Sequence, residues 1–83
     1  MLGLTHAQYW EMFRNQGGLC AICKKPETYL HKGKLMNLAI DHYHVTGNVR
    51  GLLCARCNHG IGHFGDNVEV MVSAVKYLQD AVK

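Results

Sequence analysis

Four cysteines occur in this chain of 83 residues, and they fall into two pairs, Cys20-Ala21-Ile22-Cys23 and Cys54-Ala55-Arg56-Cys57. A two-residue spacer lets one tight turn aim both sulfurs at a single ion, and tetrahedral zinc takes four thiolates at about 2.3 Å. The two pairs complete one closed site. With no ligand position left open such a site is structural, and its binding free energy is also folding free energy. Four ordinary buried thiols or a redox-active pair are the competing explanations, and two matched knuckles argue for metal. The 30 residues between Cys23 and Cys54 exceed the span of a simple zinc ribbon, leaving room for a loop and a whole hairpin.

Asp41-His42-Tyr43-His44 lies inside that span, and Asn58 directly follows the last cysteine. A carboxylate and an amide oxygen are hard donors, suited to magnesium or manganese that keeps several waters. An imidazole can take a proton from water near neutral pH. Those parts suffice for one-metal hydrolysis of a phosphodiester, with Asp41 and Asn58 as ligands and His42 as general base. In-line attack would leave 5′-phosphate and 3′-hydroxyl ends. Taken alone, an Asp-His pair is more simply two polar turn residues; its setting in a zinc-clamped hairpin, with an oxygen donor right behind the last sulfur, favours chemistry. Neighbouring strand residues point to opposite faces, so Asp41 and His42 can serve one phosphate only if the regular strand stops at about Ile40 or Asp41.

The elements that must position these groups are few. A chain this short is one domain's worth, which excludes a cleft between two domains, and a small core often yields only ~3–5 kcal/mol, so a staple is expected. Thr5 and Gln8 stand at capping-box spacing ahead of Tyr9, Trp10, Met12 and Phe13, predicting a helix from about His6 to Gln16 that Gly17-Gly18 ends. Lys24 to Asn37, with the sole proline and Gly33, reads as an exposed loop. Leu38-Ala39-Ile40 and Val49-Arg50-Gly51-Leu52-Leu53 read as the strands of a hairpin turned at Thr46-Gly47-Asn48. Ala55 to His63 can form only a short helix, because Gly60 and Gly62 each cost about 1 kcal/mol there. Asp66 with Glu69 resembles a cap, and Val68, Met71, Val75, Leu78 and Val82 recur at helical steps, predicting a closing helix.

Hydrophobic residues make up 48% of the chain and charged ones 18%, a globular balance. No apolar run approaches the ~20 residues of a membrane span, and the opening Met1-Leu2-Gly3-Leu4-Thr5-His6 lacks a secretory signal, so an intracellular, cytoplasmic setting and no membrane partner are expected. That setting also disfavours disulfides. The formal charge is +3, but Arg14 to Arg56 alone carries +5, a surface that suits a polyanion such as DNA even after zinc-bound thiolates are counted. Arg50 and Arg56 flank the proposed site, where they can grip phosphate or simply face solvent. Lys24, Lys25, Lys32 and Lys34 supply a diffuse field for nucleic acid, or are solvated loop residues. His59 and His63 share a helical face without a third ligand and read as surface residues. Trp10 and Phe13 read as core packing rather than stacking partners for bases, Asn48 reads as a turn former, and His6 and His31 have no evident partners.

From Asp41-His42-Tyr43-His44 through Thr46-Gly47, Val49-Arg50-Gly51-Leu52-Leu53-Cys54 and Cys57-Asn58, the chain resembles the recombination endonuclease VII family of phage nucleases, within the HNH (His-Me finger) superfamily. The similarity extends upstream to Gly18, Cys20, Ile22 and Cys23 and downstream to Gly62, Phe64-Gly65-Asp66 and Tyr77-Leu78. The resemblance implies a small α+β domain over residues 1–83 of ββα-metal type, with flanking N- and C-terminal helices. It implies a structural zinc on Cys20, Cys23, Cys54 and Cys57, a catalytic magnesium or manganese on Asp41 and Asn58, His42 as general base and His44 in an assisting role. DNA would be the substrate, cut in a bacterial cell. Tyr43 stands where the family often has Asp, which removes one acidic neighbour. Junction-resolving members carry a further dimerising region, so a chain that ends at Lys83 is expected to act as a monomer or weak homodimer that nicks DNA or cuts branched forms. The rival expectation is a non-catalytic, zinc-stabilised nucleic-acid-binding or adaptor module.

Overall fold

The structure, a computed structural model, describes residues 3–81. Helix α1, His6–Asn15, begins with a reciprocal capping box: Thr5 Oγ1 accepts from the Gln8 backbone N–H at 3.1 Å and Gln8 Oε1 accepts from the Thr5 N–H at 2.9 Å. Gln16 caps its far end, and Gly17 and Gly18 follow at φ 68° and 75°, left-handed values that glycine adopts without strain. Gly18 is further constrained, since a Cβ there would lie 3.2 Å from the Phe13 ring.

Strands β1 (Leu30–His31) and β2 (Lys34–Leu35) form a small antiparallel ribbon within the stretch expected to be loop. Its turn places both Lys32 and Gly33 at positive φ, 52° and 77°, which matches the twist of a two-residue hairpin. The exposure of this stretch is as expected; the ribbon is not, because Lys-Gly is a weaker hairpin signal than Asn-Gly. Strands β3 (Ala39–His42) and β4 (Val49–Leu53) make the second antiparallel sheet. Ala39, Ile40 and Asp41 face Leu53, Leu52 and Gly51, and then His42 faces Val49, so the ladder skips Arg50. The strand thus continues to His42 instead of stopping at Ile40 or Asp41; the irregularity falls at the expected place but as an extra residue on the opposite strand.

Helix α2, Ala55–His63, leaves β4 directly and packs against both strands, and α3, Val68–Ala81, closes the described chain. The cap of α3 differs from the expected one. Asn67 Oδ1 accepts the Val70 N–H at 3.1 Å, while Asp66 sits at φ 57° with its carboxylate turned to Arg50. Among the described residues of the apolar series, Val68, Val75 and Leu78 are exposed and Met71 is half-buried, so the predicted helix forms without its stripe entering the core; Val82 lies outside the described residues.

The buried core consists of Cys20, Leu38, Leu52, Leu53 and Cys54, with Leu4, Tyr9, Met12, Phe13, Ile40, Cys57 and Ile61 among those packed against it. Two of the five buried apolar side chains among the described residues are cysteines, so sulfur is part of the core itself. Phe13 joins this packing as expected. Trp10 sits at its rim, edge-on to Tyr9 and Phe13, and its Nε1–H donates to His6 Nε2 at 3.0 Å, giving His6 a partner. One polar side chain ties α1 to the sheet: Gln16 Oε1 accepts the Leu52 N–H at 2.9 Å, and its Nε2 donates to the Leu52 and Leu19 carbonyls at 3.0 and 2.8 Å. The Ala21 N–H also donates to the Leu52 carbonyl at 3.1 Å, so the outer edge of β4 is covered by the knuckle and by an amide that mimics a strand. Gln16→Ala is expected to lower stability in urea unfolding by about 1–3 kcal/mol, since it strips a buried N–H of its acceptor. Lys76→Ala, which removes only the exposed 3.2 Å ion pair with Asp80, is the control and should change little.

Candidate functional site

The four cysteines converge. The Sγ atoms of Cys20, Cys23, Cys54 and Cys57 all lie within 4.8 Å of one another, the sole such cluster among the described residues. The Cys23 and Cys54 sulfurs are 3.8 Å apart, which matches the edge of about 3.8 Å of a sulfur tetrahedron drawn at the zinc–thiolate distance. The donor set and spacing therefore fit zinc. Backbone N–H groups of Ile22 and Cys57 point at Cys20 Sγ and Cys54 Sγ, each at 3.4 Å, and Cys54 is the N-cap of α2. Such donors and a helix N-terminus favour the thiolate. Burial alone would raise the Cys20 thiol, but backbone hydrogen bonds from Cys23, Cys54 and Ile22 outweigh it and draw it down to about 6. Burial, with the neighbouring sulfurs, pushes Cys57 up to about 12. Without a cation the four sulfurs oppose each other's ionisation; metal binding must release their protons, so affinity falls as pH falls.

Around Asp41 the structure forms a second polar cluster. Asp41, 8% exposed, is the buried charged residue of the described chain. Arg50, the extra residue of the β4 irregularity, reaches it with Nε–H to Oδ2 at 2.7 Å and Nη2–H to Oδ1 at 3.0 Å. The other edge of the same guanidinium donates to Asp66, Nη1–H to Oδ2 at 3.0 Å and Nη2–H to Oδ1 at 2.9 Å. Bulges commonly re-aim a side chain beside a site, and here the skip turns Arg50 onto two carboxylates. Those hydrogen bonds, from Asp41 first and then Asp66, hold the Arg50 guanidinium charged above its already high ordinary value. The Arg50 hydrogen bonds in turn pull the Asp66 carboxyl below the usual carboxylate range, with His44 adding a smaller favourable charge. The stabilisation from Asp66 is therefore present above the ordinary carboxylate range and lost as pH falls through its lowered value. A cavity of about 310 Å³ opens on this cluster, lined by Asp41, Arg50, Asp66, Ile61 and Met71 among others.

The remaining predicted residues are distributed around this centre. His42 is half-buried at the end of β3, and Asn58 is half-buried on α2, which packs on β3. His44 is exposed in the turn between β3 and β4. None of these three lines the Asp41 cavity, whereas Arg50, read as gripping phosphate or simply facing solvent, has both fork edges on protein carboxylates. Lys24 belongs to the first knuckle: its backbone is left-handed at φ 62° and its Nζ donates to the Ala21 carbonyl at 2.8 Å. Lys32 and Lys34 are exposed on the β1–β2 ribbon. Lys25, Arg56 and His59 line a separate cavity of about 650 Å³ together with Tyr29, Leu30, Cys23 and Cys54.

Two residues escaped the reading of the sequence. Glu27, one of the two acidic residues between Arg14 and Arg56, accepts the Ala55 N–H at 2.9 Å and the Thr28 N–H at 3.0 Å, placing a carboxylate on the N-terminus of α2. Asp66 looked like a cap. Nothing in the spacing of either pointed to its distant partner.

Fold and site define a small α+β domain clamped by four sulfurs, with a charged cluster on its central hairpin. The chain belongs to the recombination endonuclease VII family, which it matches over residues 1–80. It is 42% identical over 77 residues to the Gene 59 protein of Mycobacterium phage L5, covering 92% of this chain and 44% of that one. The Gene 59 protein of Mycobacterium phage D29 is 42% identical over 78 residues, 93% of this chain and 44% of its own. The chain thus spans less than half the length of these relatives. No solved structure matches it. No helix among the described residues is long and apolar enough to cross a membrane.

The two clusters should separate under mutation. Cys54→Ser is expected to abolish cooperative thermal unfolding, because it removes a ligand, a core side chain and the α2 cap together. Asp41→Ala should keep the helical circular dichroism of the parent, since Arg50 retains Asp66. Equal loss of helicity in both would contradict the separation.

Proposed function

We propose that residues 1–83 act as one HNH-type nuclease domain of ββα-metal (His-Me finger) construction, hydrolysing DNA phosphodiester bonds in the bacterial cytoplasm. What carries this reading is a match to the endonuclease VII family along nearly the whole chain, joined to a hairpin-and-helix unit that presents Asp41 and His42 on a four-sulfur frame. The donor chemistry at Asp41 fits a divalent cation. Each carboxylate oxygen accepts one Arg50 N–H and keeps further lone pairs, and Asp41, Arg50 and Asp66 together are net negative. Metal-binding carboxylates are ordinarily hydrogen-bonded in this way.

In this reading Asp41 and Asn58 hold magnesium or manganese, which when bound supplies Lewis-acid stabilisation of the charge that develops on phosphate oxygens. His42 accepts the proton of the attacking water, a contribution typically worth about 10²–10⁴-fold. His44, on the exposed turn, assists by favouring the approach of an anionic strand. Lys25, Lys32, Lys34 and Arg56 attract the backbone of DNA through their field, so binding weakens as salt rises. Cleavage leaves 5′-phosphate and 3′-hydroxyl ends, in nicked or branched DNA, by a monomer or weak homodimer.

A second reading, an inert zinc-built nucleic-acid-binding or adaptor module, draws on one observation: Arg50 already engages both oxygens of Asp41. Supercoiled plasmid separates the two. With magnesium or manganese the parent is expected to nick it, EDTA to stop the reaction, and His42→Ala to lower the rate at least about 10²-fold while still binding DNA. Cutting unchanged in His42→Ala would remove His42 as the base, and no cutting by the parent with any divalent ion would favour the inert module.

A further inference from the structure

Asp66 has no part in the reaction above, yet the chain adopts a rare backbone to place it. Its φ of 57° is left-handed, a region that Asp and Asn tolerate better than other residues with side chains. Its N–H donates to the Ile61 carbonyl at 2.9 Å, which closes the end of α2 and turns the carboxylate back over β4. There it meets the one edge of the Arg50 guanidinium that Asp41 leaves open. Arg50 has five N–H donors, and four are spent on these two carboxylates.

The charge of this arrangement matters more than its hydrogen bonds. An arginine paired with Asp41 alone would cancel the carboxylate's charge and set a positive group where a cation must approach. With Asp66 on its other edge Arg50 is itself neutralised, and the group of three stays net negative. We propose that Asp66 is a positioning residue: it takes up the charge of Arg50, so that Arg50 fixes the orientation of the Asp41 carboxylate without suppressing its affinity for a divalent cation. The inference rests on Asp41 being a metal ligand. Asp66 acts through Arg50 and touches neither cation nor substrate.

The test is Mn²⁺ binding, measured by titration calorimetry on the zinc-loaded chain without DNA. Zinc stays on its thiolates while manganese takes oxygen donors. Asp66→Asn and Asp66→Gly both remove the carboxylate and both accept the left-handed backbone, so at least one should keep the parent's helicity. Each is expected to weaken Mn²⁺ binding by about 10-fold or more. In an Arg50→Gln background the same Asp66 substitutions should change affinity by less than about 2-fold, because no charge remains to offset. Parent-like Mn²⁺ affinity in the Asp66 variants overturns the inference. So does an Asp66 effect that persists at full size without Arg50, since Asp66 would then act on the cation directly. The premise is checked separately: Asp41→Asn should abolish Mn²⁺ binding, and if it binds as the parent does, or the parent binds none, the assignment of Asp41 fails and the inference with it.

Discussion

Sulfur convergence is the constraint on which the rest of this small protein depends. Cys20 and Cys23 come from the turn after α1, and Cys54 and Cys57 from the junction of β4 with α2, so the meeting of their sulfurs fixes both ends of the central hairpin. An apolar core of five buried side chains among the described residues is too small to do this by burial alone, and two of those five are themselves cysteines. The contacts that flank the sulfurs all join the same two segments. Gln16 and Ala21 bond the Leu52 backbone, and Glu27 bonds the first N–H of α2. These neutral and charge-assisted hydrogen bonds locate the knuckle against the hairpin, and the four sulfurs converge at the same junction, where a bound metal would add its binding free energy to folding.

A rigid frame allows an unusual backbone and a buried charge to be held on and beside the central hairpin. Asp41 is buried, Arg50 is an extra residue in its strand and Asp66 has a left-handed backbone. Each is unfavourable in isolation, and the four hydrogen bonds that Arg50 donates, two to Asp41 and two to Asp66, offset them together. Backbone irregularities that meet at one charged cluster are a common mark of a functional site. The apolar stripe of α3 contrasts with it, exposing Val68, Val75 and Leu78 to solvent.

Local signals in the sequence proved the most readable. The capping box at Thr5 and Gln8, the glycine stop after Gln16 and the short α2 follow from residues within a turn of one another, and the structure has them. Cysteine spacing was readable at long range because two-residue knuckles have few other uses. What the sequence did not reveal are pairings between distant polar residues. Arg50 with Asp66 spans 16 positions and Glu27 with Ala55 spans 28, and neither carries a periodicity. Asp66 was misread as a cap because Glu69 stands at the right spacing, while Asn67, one residue on, makes the hydrogen bond instead. The β1–β2 ribbon was missed for a similar reason: two-residue strands leave too short a pattern for alternation to register.

Metal content against folding tests the central claim most directly. Native mass spectrometry of the purified chain, followed by far-ultraviolet circular dichroism before and after exhaustive chelation, should find about one zinc per folded molecule. It should also find loss of the helical signal on stripping and its return with one equivalent of zinc. A metal-free chain that kept the full helical signal and a cooperative melt would contradict the account, because the hairpin would then be held by packing and hydrogen bonds without the sulfur junction.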